Sequence, residues 1–235
     1  MWARAGLVLG FLLVWLIVLM PLKAVVMLAG PAGYSDVYGT VWDGRIYDLR
    51  LRNQTVRETR VGLRPAGLLT GQLSLDWQIE DDSLRGRGRA DWSGGRVRLT
   101  GADFSVALDR LDAPDLPGLG GGERVQGRIS ELDWRNGTCR AAAGEVRTGA
   151  LTGFDGPVLT GQLACRDGVL VVDFAGRSDR LELDGEAVFG AQAVDWRVTA
   201  RTEMSDMADM LALAGFERDG DVWQREGRRA YDGNP

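Results

Sequence analysis

Leu73-Ser-Leu-Asp-Trp-Gln-Ile79 decides the fold class. Apolar and polar residues alternate strictly, so Leu73, Leu75, Trp77 and Ile79 share one face and Ser74, Asp76 and Gln78 the other, which is the period of a half-buried strand. Downstream, Arg85-Gly-Arg-Gly-Arg89 alternates in the opposite sense, with Arg85, Arg87 and Arg89 facing away from Gly86, Gly88, Ala90 and Trp92. The pattern continues through Val97–Leu99, Phe104–Leu108, Val125–Ile129, Leu132–Trp134, Gly144–Thr148, Leu159–Cys165, Val169–Phe174, Leu181–Val188 and Val194–Ala200. Four pairs, Asp43-Gly44, Asn136-Gly137, Asp167-Gly168 and Asp184-Gly185, read as tight hairpin turns. Consecutive strands joined by short turns make an antiparallel meander, not a βαβ sheet. The expected fold is mainly β: a curved, mostly antiparallel sheet, open to folding over on itself, with Trp42, Trp77, Trp92, Trp134 and Trp196 among the residues lining its inner face.

One helix breaks the series. Met204, Met207, Met210, Leu211 and Ala214 recur at helical spacing, so residues 204–214 read as a short C-terminal helix. Ser205 and Thr202 are the candidate N-caps, and Gly215 is the stop. The body also echoes itself, since Leu69-Thr-Gly-Gln-Leu73 recurs as Leu159-Thr-Gly-Gln-Leu163. This divides residues 30–235 into halves of about 36–108 and 123–201, separated by a Gly/Pro-rich loop at 109–122. A duplicated strand unit and a chance match both remain open.

Upstream lies Ala5–Leu22, a run without a charge. As a helix it reaches roughly 27 Å, close to the hydrocarbon thickness of a bilayer. It exceeds the apolar run of a cleaved signal peptide, and Met27-Leu28-Ala29 makes a poor cleavage site, so residues 1–29 read as a signal anchor. Arg4 on the short side weakly favours that side inside, leaving the body outside the cytoplasm.

Composition limits the chemistry. The 235 residues contain no histidine, which excludes a Ser–His–Asp triad, a His–Cys dyad and His-ligated metal sites. Two cysteines cannot hold a four-cysteine zinc or an iron–sulfur cluster. With a net charge of −5, the chain does not read as a nucleic-acid binder. Asp109, Asp112 and Asp115 lack any EF-hand-like pattern, and Glu80-Asp81-Asp82 reads as a solvated turn. Gly118–Gly122 is not a phosphate loop, because no Gly-Lys-Ser/Thr follows it. Arg85, Arg87 and Arg89 form a short basic face, suited to cross-strand ion pairs or to an acidic partner. Cys139 and Cys165 are either a disulfide, as expected outside the cytoplasm, or two buried thiols. No catalytic, cofactor or metal site is expected.

The segment Tyr38-Gly-Thr-Val-Trp-Asp-Gly-Arg45 resembles the G-T-[LV]-W-x-G element of the type II secretion system protein N family. An N-terminal apolar segment followed by Met20-Pro21 agrees. So do Arg64-Pro-Ala-Gly-Leu-Leu-Thr-Gly-Gln-Leu73, Cys139 with Ala142-Ala-Gly144 and Cys165, and Leu211-Ala-Leu-Ala-Gly-Phe216 before Trp223. The resemblance implies a non-catalytic, single-pass inner-membrane component with a periplasmic β domain. Its partners would be other type II secretion subunits and the inner membrane. Gly39, Thr40, Trp42 and Gly44 carry the signature: Gly39 and Gly44 permit sharp bends, and Trp42 anchors the first strand to the core. The competing reading is a periplasmic groove whose apolar face, with Leu73, Leu75, Trp77 and Ile79, takes phospholipid.

Overall fold

A computed structural model describes residues 11, 15–16, 18–29, 33–51, 54–107, 124–150 and 156–230. Much of Ala5–Leu22, the 109–122 loop and its three aspartates lie outside the described residues. Among the described residues no helix is long and apolar enough to cross a membrane. The chain is mainly β, with fourteen strands and three short helices described. It divides into two compact units, Met1–Asp81 and Asp82–Pro235.

The first unit contains helix α1 (Leu22–Ala29), strands β1 (Asp36–Gly39), β2 (Gly44–Leu51) and β3 (Gln54–Leu63), helix α2 (Pro65–Leu69) and strand β4 (Leu73–Glu80). The strands pair antiparallel in sequence order. Leu22, Val37 and Ile46 form the core, with Val26, Tyr34, Leu49 and Val61 packed against them. The predicted alternation in β4 holds from Leu75, opposite Leu63, through Trp77, opposite Val61, to Ile79, opposite Thr59. At its start the sense is reversed: Ser74 is buried and Leu73 is exposed. The cause is α2, which Pro65 begins, with Gly67 lying close over the Ser74 hydroxyl.

The second unit contains β5 (Leu84–Ser93), β6 (Arg96–Ala107), β7 (Arg124–Arg135), β8 (Thr138–Ala150), β9 (Val158–Arg166), β10 (Val169–Arg177), β11 (Glu182–Phe189) and β12 (Ala193–Arg201). Helix α3 (Ser205–Leu213), β13 (Glu217–Asp219) and β14 (Val222–Ala230) complete it. From β5 to β12 each strand pairs antiparallel with the next; β14 then lies beside β12, with β13 outside it. One face is apolar and the other charged. Bulges keep the residues sorted where the sequence changes parity. In β6 the extra residue lies near Gly101 (φ 57°), so Phe104 and Leu99, five apart, share the apolar face.

On that face aromatic rings lie over glycines of the neighbouring strand. Phe104 is opposite Gly127, Phe174 opposite Gly185, and Trp196 opposite Gly227. A Cβ on any of these glycines would run into the facing ring. The missing side chain is therefore the space that the ring fills.

Two of the four predicted turn pairs are turns. Asn136-Gly137 (φ 49° and 78°) and Asp167-Gly168 (φ 50° and 81°) join β7 to β8 and β9 to β10. Asp184-Gly185 instead lies inside β11, where Gly185 admits the Phe174 ring. Gly44 begins β2 without a positive φ; the bend belongs to Gly39 (φ 85°).

Helix α3 lays Met207 and Leu211 on Leu181, Leu183, Ala200 and Phe216, which is the unit's buried cluster. Gly215 (φ 80°) stops it, and Phe216 N–H returns to Leu211 O at 3.0 Å. Neither candidate N-cap fills that role. Met204 occupies the cap position without a side-chain cap, and Thr202 Oγ1 accepts from Met204 N–H one step earlier while donating to Arg180 O. The repeated pentapeptide occupies different structure in its two places: Leu69–Leu73 leaves α2 through Gly71 (φ 71°), whereas Leu159–Leu163 is continuous strand in β9.

Candidate functional site

Pro21 interrupts the apolar N-terminal segment. Proline cannot continue a helix, so backbone carbonyls just before it lose their intrahelical donors. Leu19 N–H still donates to Trp15 O at 2.9 Å, and a new helix begins where Ala24 N–H donates to Pro21 O at 3.1 Å. Two of the carbonyls between are satisfied from the first hairpin. Trp42 Nε1–H donates to Val18 O at 3.0 Å, and Val41 N–H donates to Met20 O at 3.1 Å. Pro21 forms an isolated antiparallel bridge with Thr40.

The β1–β2 turn holds these donors in place. Gly39 sets the bend, and Thr40 N–H donates to Asp43 O at 3.1 Å. Thr40 Oγ1 accepts from the N–H groups of Trp42 and Asp43 at 3.3 and 3.4 Å. Val41 is buried, and its carbonyl accepts from Leu63 N–H at 2.8 Å, tying the turn to β3. Gly62 is needed here as well, since a Cβ there would lie 2.6 Å from Trp42 O. Gly44 admits Leu22, which packs where a side chain at position 44 would stand.

Gly39, Thr40, Trp42 and Gly44 thus meet in one turn that grips Val18–Leu22. Val18, Met20, Leu22 and Leu63 complete the site; sequence reasoning missed them, although Met20-Pro21 after an apolar run marked where free carbonyls would arise. The site offers hydrogen bonds and packing. It presents no nucleophile with an adjacent base. Among the described residues no group of three acids or cysteines is placed to hold a metal.

In the second unit, Cys139 on β8 and Cys165 on β9 form a disulfide with Cα atoms 5.6 Å apart. The β8–β9 register runs from Ala150 opposite Val158 to Glu145 opposite Gln162. Beyond it, the disulfide and Cys139 N–H donating to Gly168 O at 2.7 Å hold the strands together.

The charged face is largely self-neutralising. Asp103 accepts from Arg128 Nε at 2.9 Å and lies 3.6 Å from Arg87, so Arg87 of the basic face is ion-paired across strands. Arg166 bridges Asp173 and Glu186, and Asp133, buried under Arg96 and Arg98, accepts a forked pair of bonds from Arg96. These hydrogen bonds, from Arg128 and Arg96 respectively, hold the carboxyls of Asp103 and Asp133 below the usual carboxylate range.

Residues 31–225 match the family model of type II secretion system protein N. The chain belongs to that family. The match takes in the whole 38–45 signature and both cysteines, and it makes the chain a type II secretion component. No curated protein and no solved structure matches it. For this protein N family member the signature is thus a docking turn: its glycines and tryptophan seat the chain that leaves the apolar segment.

Proposed function

We propose that this protein is a non-catalytic accessory subunit of the type II secretion machinery. Residues 1–29 hold it in the inner membrane, and residues 30–235 stand in the periplasm, where they act through contacts with other subunits. The grip of Trp42 and Val41 on Val18 and Met20 carries the reading, because it fixes the anchor to the body. Two observations support the placement. The described side chains from Phe11 to Leu19 (Phe11, Trp15, Leu16, Val18 and Leu19) are all at least 50% exposed, an apolar surface suited to lipid. The Cys139–Cys165 disulfide suits an oxidising compartment.

The test is protease added to spheroplasts, together with secretion assayed in cells carrying Trp42→Ala. Digestion of the body and loss of secretion with the variant still membrane-bound are expected. A body inaccessible to protease overturns the topology, and unimpaired secretion overturns the role of the grip.

A second reading draws on the apolar face of the Asp82–Pro235 unit. Phe104, Val146, Phe174 and Val198 lie there only half-buried, a surface that could take phospholipid acyl chains. A photoreactive residue in place of Phe174 distinguishes the two: lipid adducts formed in cells favour the groove, and adducts to secretion subunits favour the scaffold.

A further inference from the structure

β14 is paired on only part of one side. Towards β12 the ladder is complete, from Trp223 opposite Ala200 to Ala230 opposite Ala193, without a bulge. Towards β13 it covers only Val222, Trp223 and Gln224. Among the described residues no strand lies along the outer side of Arg225–Ala230.

The direction of the backbone groups follows from the turn. Gly220-Asp221 is a two-residue loop closing on Asp219 opposite Val222, a hydrogen-bonded pair. Val222 and Gln224 therefore point their N–H and C=O groups at β13. At a period of two, Glu226, Arg228 and Ala230 point theirs the same way, past the end of β13, where among the described residues no strand pairs with them. The exposed edge is about 20 Å long at about 3.4 Å per residue. No proline guards it.

Its charge selects among occupants. Arg225, Arg228 and Arg229 face one Glu226, a basic strand in a chain of net charge −5. Arg225 lies over the Trp196 ring at 5.7 Å, and its Nη1 is buried with no hydrogen-bond acceptor among the described residues. Arg228 reaches Asp195 only at 3.6 Å and is 70% exposed. A second copy of this edge would set basic strand against basic strand, which is unfavourable for directly opposed side chains.

We propose that the Arg225–Ala230 edge of β14 receives an extended, acidic segment of a partner protein as an added strand. Main-chain hydrogen bonds from Glu226, Arg228 and Ala230 hold the segment, and its carboxylates meet the arginines on both faces. The inference goes beyond the secretion role proposed above, and its peptide readout is independent of the secretion assay.

The test uses the full chain in non-ionic detergent micelles and two labelled six-residue peptides, alternating Glu-Val and alternating Lys-Val, with binding read by fluorescence anisotropy. The acidic peptide is expected to bind roughly tenfold more tightly than the basic one and to weaken between about 50 and about 300 mM salt. Glu226→Pro removes an outward N–H and a negative charge, so an electrostatic effect alone would tighten the acidic peptide; a loss of about fivefold or more is expected instead. If that variant fails to fold, Arg228→Glu serves, and the preference for the acidic peptide should shrink. Equal affinity for the two peptides, no binding of either, or undiminished binding to a folded Glu226→Pro chain overturns the proposal. So does concentration-dependent self-association through this edge that excludes the peptide.

Discussion

Leu22 occupies the space that a side chain at position 44 would need. Its Cβ lies 3.2 Å from where a Cβ on Gly44 would stand, and its Cδ2 is closer still. The same hypothetical atom would lie 2.8 Å from Thr40 O. Gly44 is thus a contact glycine: its absent side chain lets the chain emerging from Pro21 lie on the first hairpin, where Leu22 joins Val37 and Ile46 in the core.

Gly44→Ala should therefore destabilise the Met1–Asp81 unit by about 1–3 kcal/mol, the usual cost of forcing an extra group into a packed site. Denaturant unfolding of the full chain in micelles measures it. Combining Gly44→Ala with Leu22→Ala should cost less than the sum of the single changes. Strict additivity would mean that the two residues do not compete for space.

Trp42→Phe keeps a ring and removes the donor to Val18 O. It should cost about 0.5–1.5 kcal/mol and speed amide exchange at Val41 and Leu63, whose bonds share the turn. Exchange unchanged at both amides would show that the indole bond does not hold the turn.

The Cys139–Cys165 bond closes a loop between residues 26 apart. Replacing both cysteines by alanine should lower stability by about 3–4 kcal/mol in the chain-entropy description. Thiol labelling of the unreduced, denatured chain should fail at both positions and succeed after reduction. Labelling without reduction would contradict the pairing.

Asp133 is nearly buried, with 8% of its side chain exposed, and is held as the anion by Arg96. Asp133→Asn should cost about 1–3 kcal/mol near neutral pH, because the arginines lose their charged acceptor. The pH dependence has a definite sign. The folded-state carboxyl titrates below its ordinary value of 3.8. The stabilisation is complete above that value and is lost as pH falls through the lowered one. The gap between parent and variant should accordingly close in strong acid; a gap that stays constant from neutral pH down to about pH 2 would count against the ion pair.

Met207 is 1% exposed and lies between α3 and the strands beneath it. Met207→Ala should cost about 2–5 kcal/mol through lost contacts and the cavity left behind. Met210→Ala, at a half-buried position, should cost less. Equal effects would place the helix's core face elsewhere.

The sequence by itself determined the β character of the body, the short C-terminal helix and its Gly215 stop, and the segment carrying the family signature. Those features depend on neighbours along the chain: alternation, a 3.6-residue period, and the turn chemistry of Asn136-Gly137 and Asp167-Gly168. Only the tertiary structure decided what each glycine was for. Asp184-Gly185 and Asp167-Gly168 read alike in sequence, yet Gly185 lies under Phe174 and Gly168 makes a turn, because register across strands fixes which residue faces which ring. The same holds for Val18 and Met20, whose carbonyls find donors in Trp42 and Val41 only once Pro21 has broken the helix and the first hairpin has folded against the break. Contacts between residues some twenty positions apart leave no periodic trace in a single chain, so they become visible only when the chain is folded.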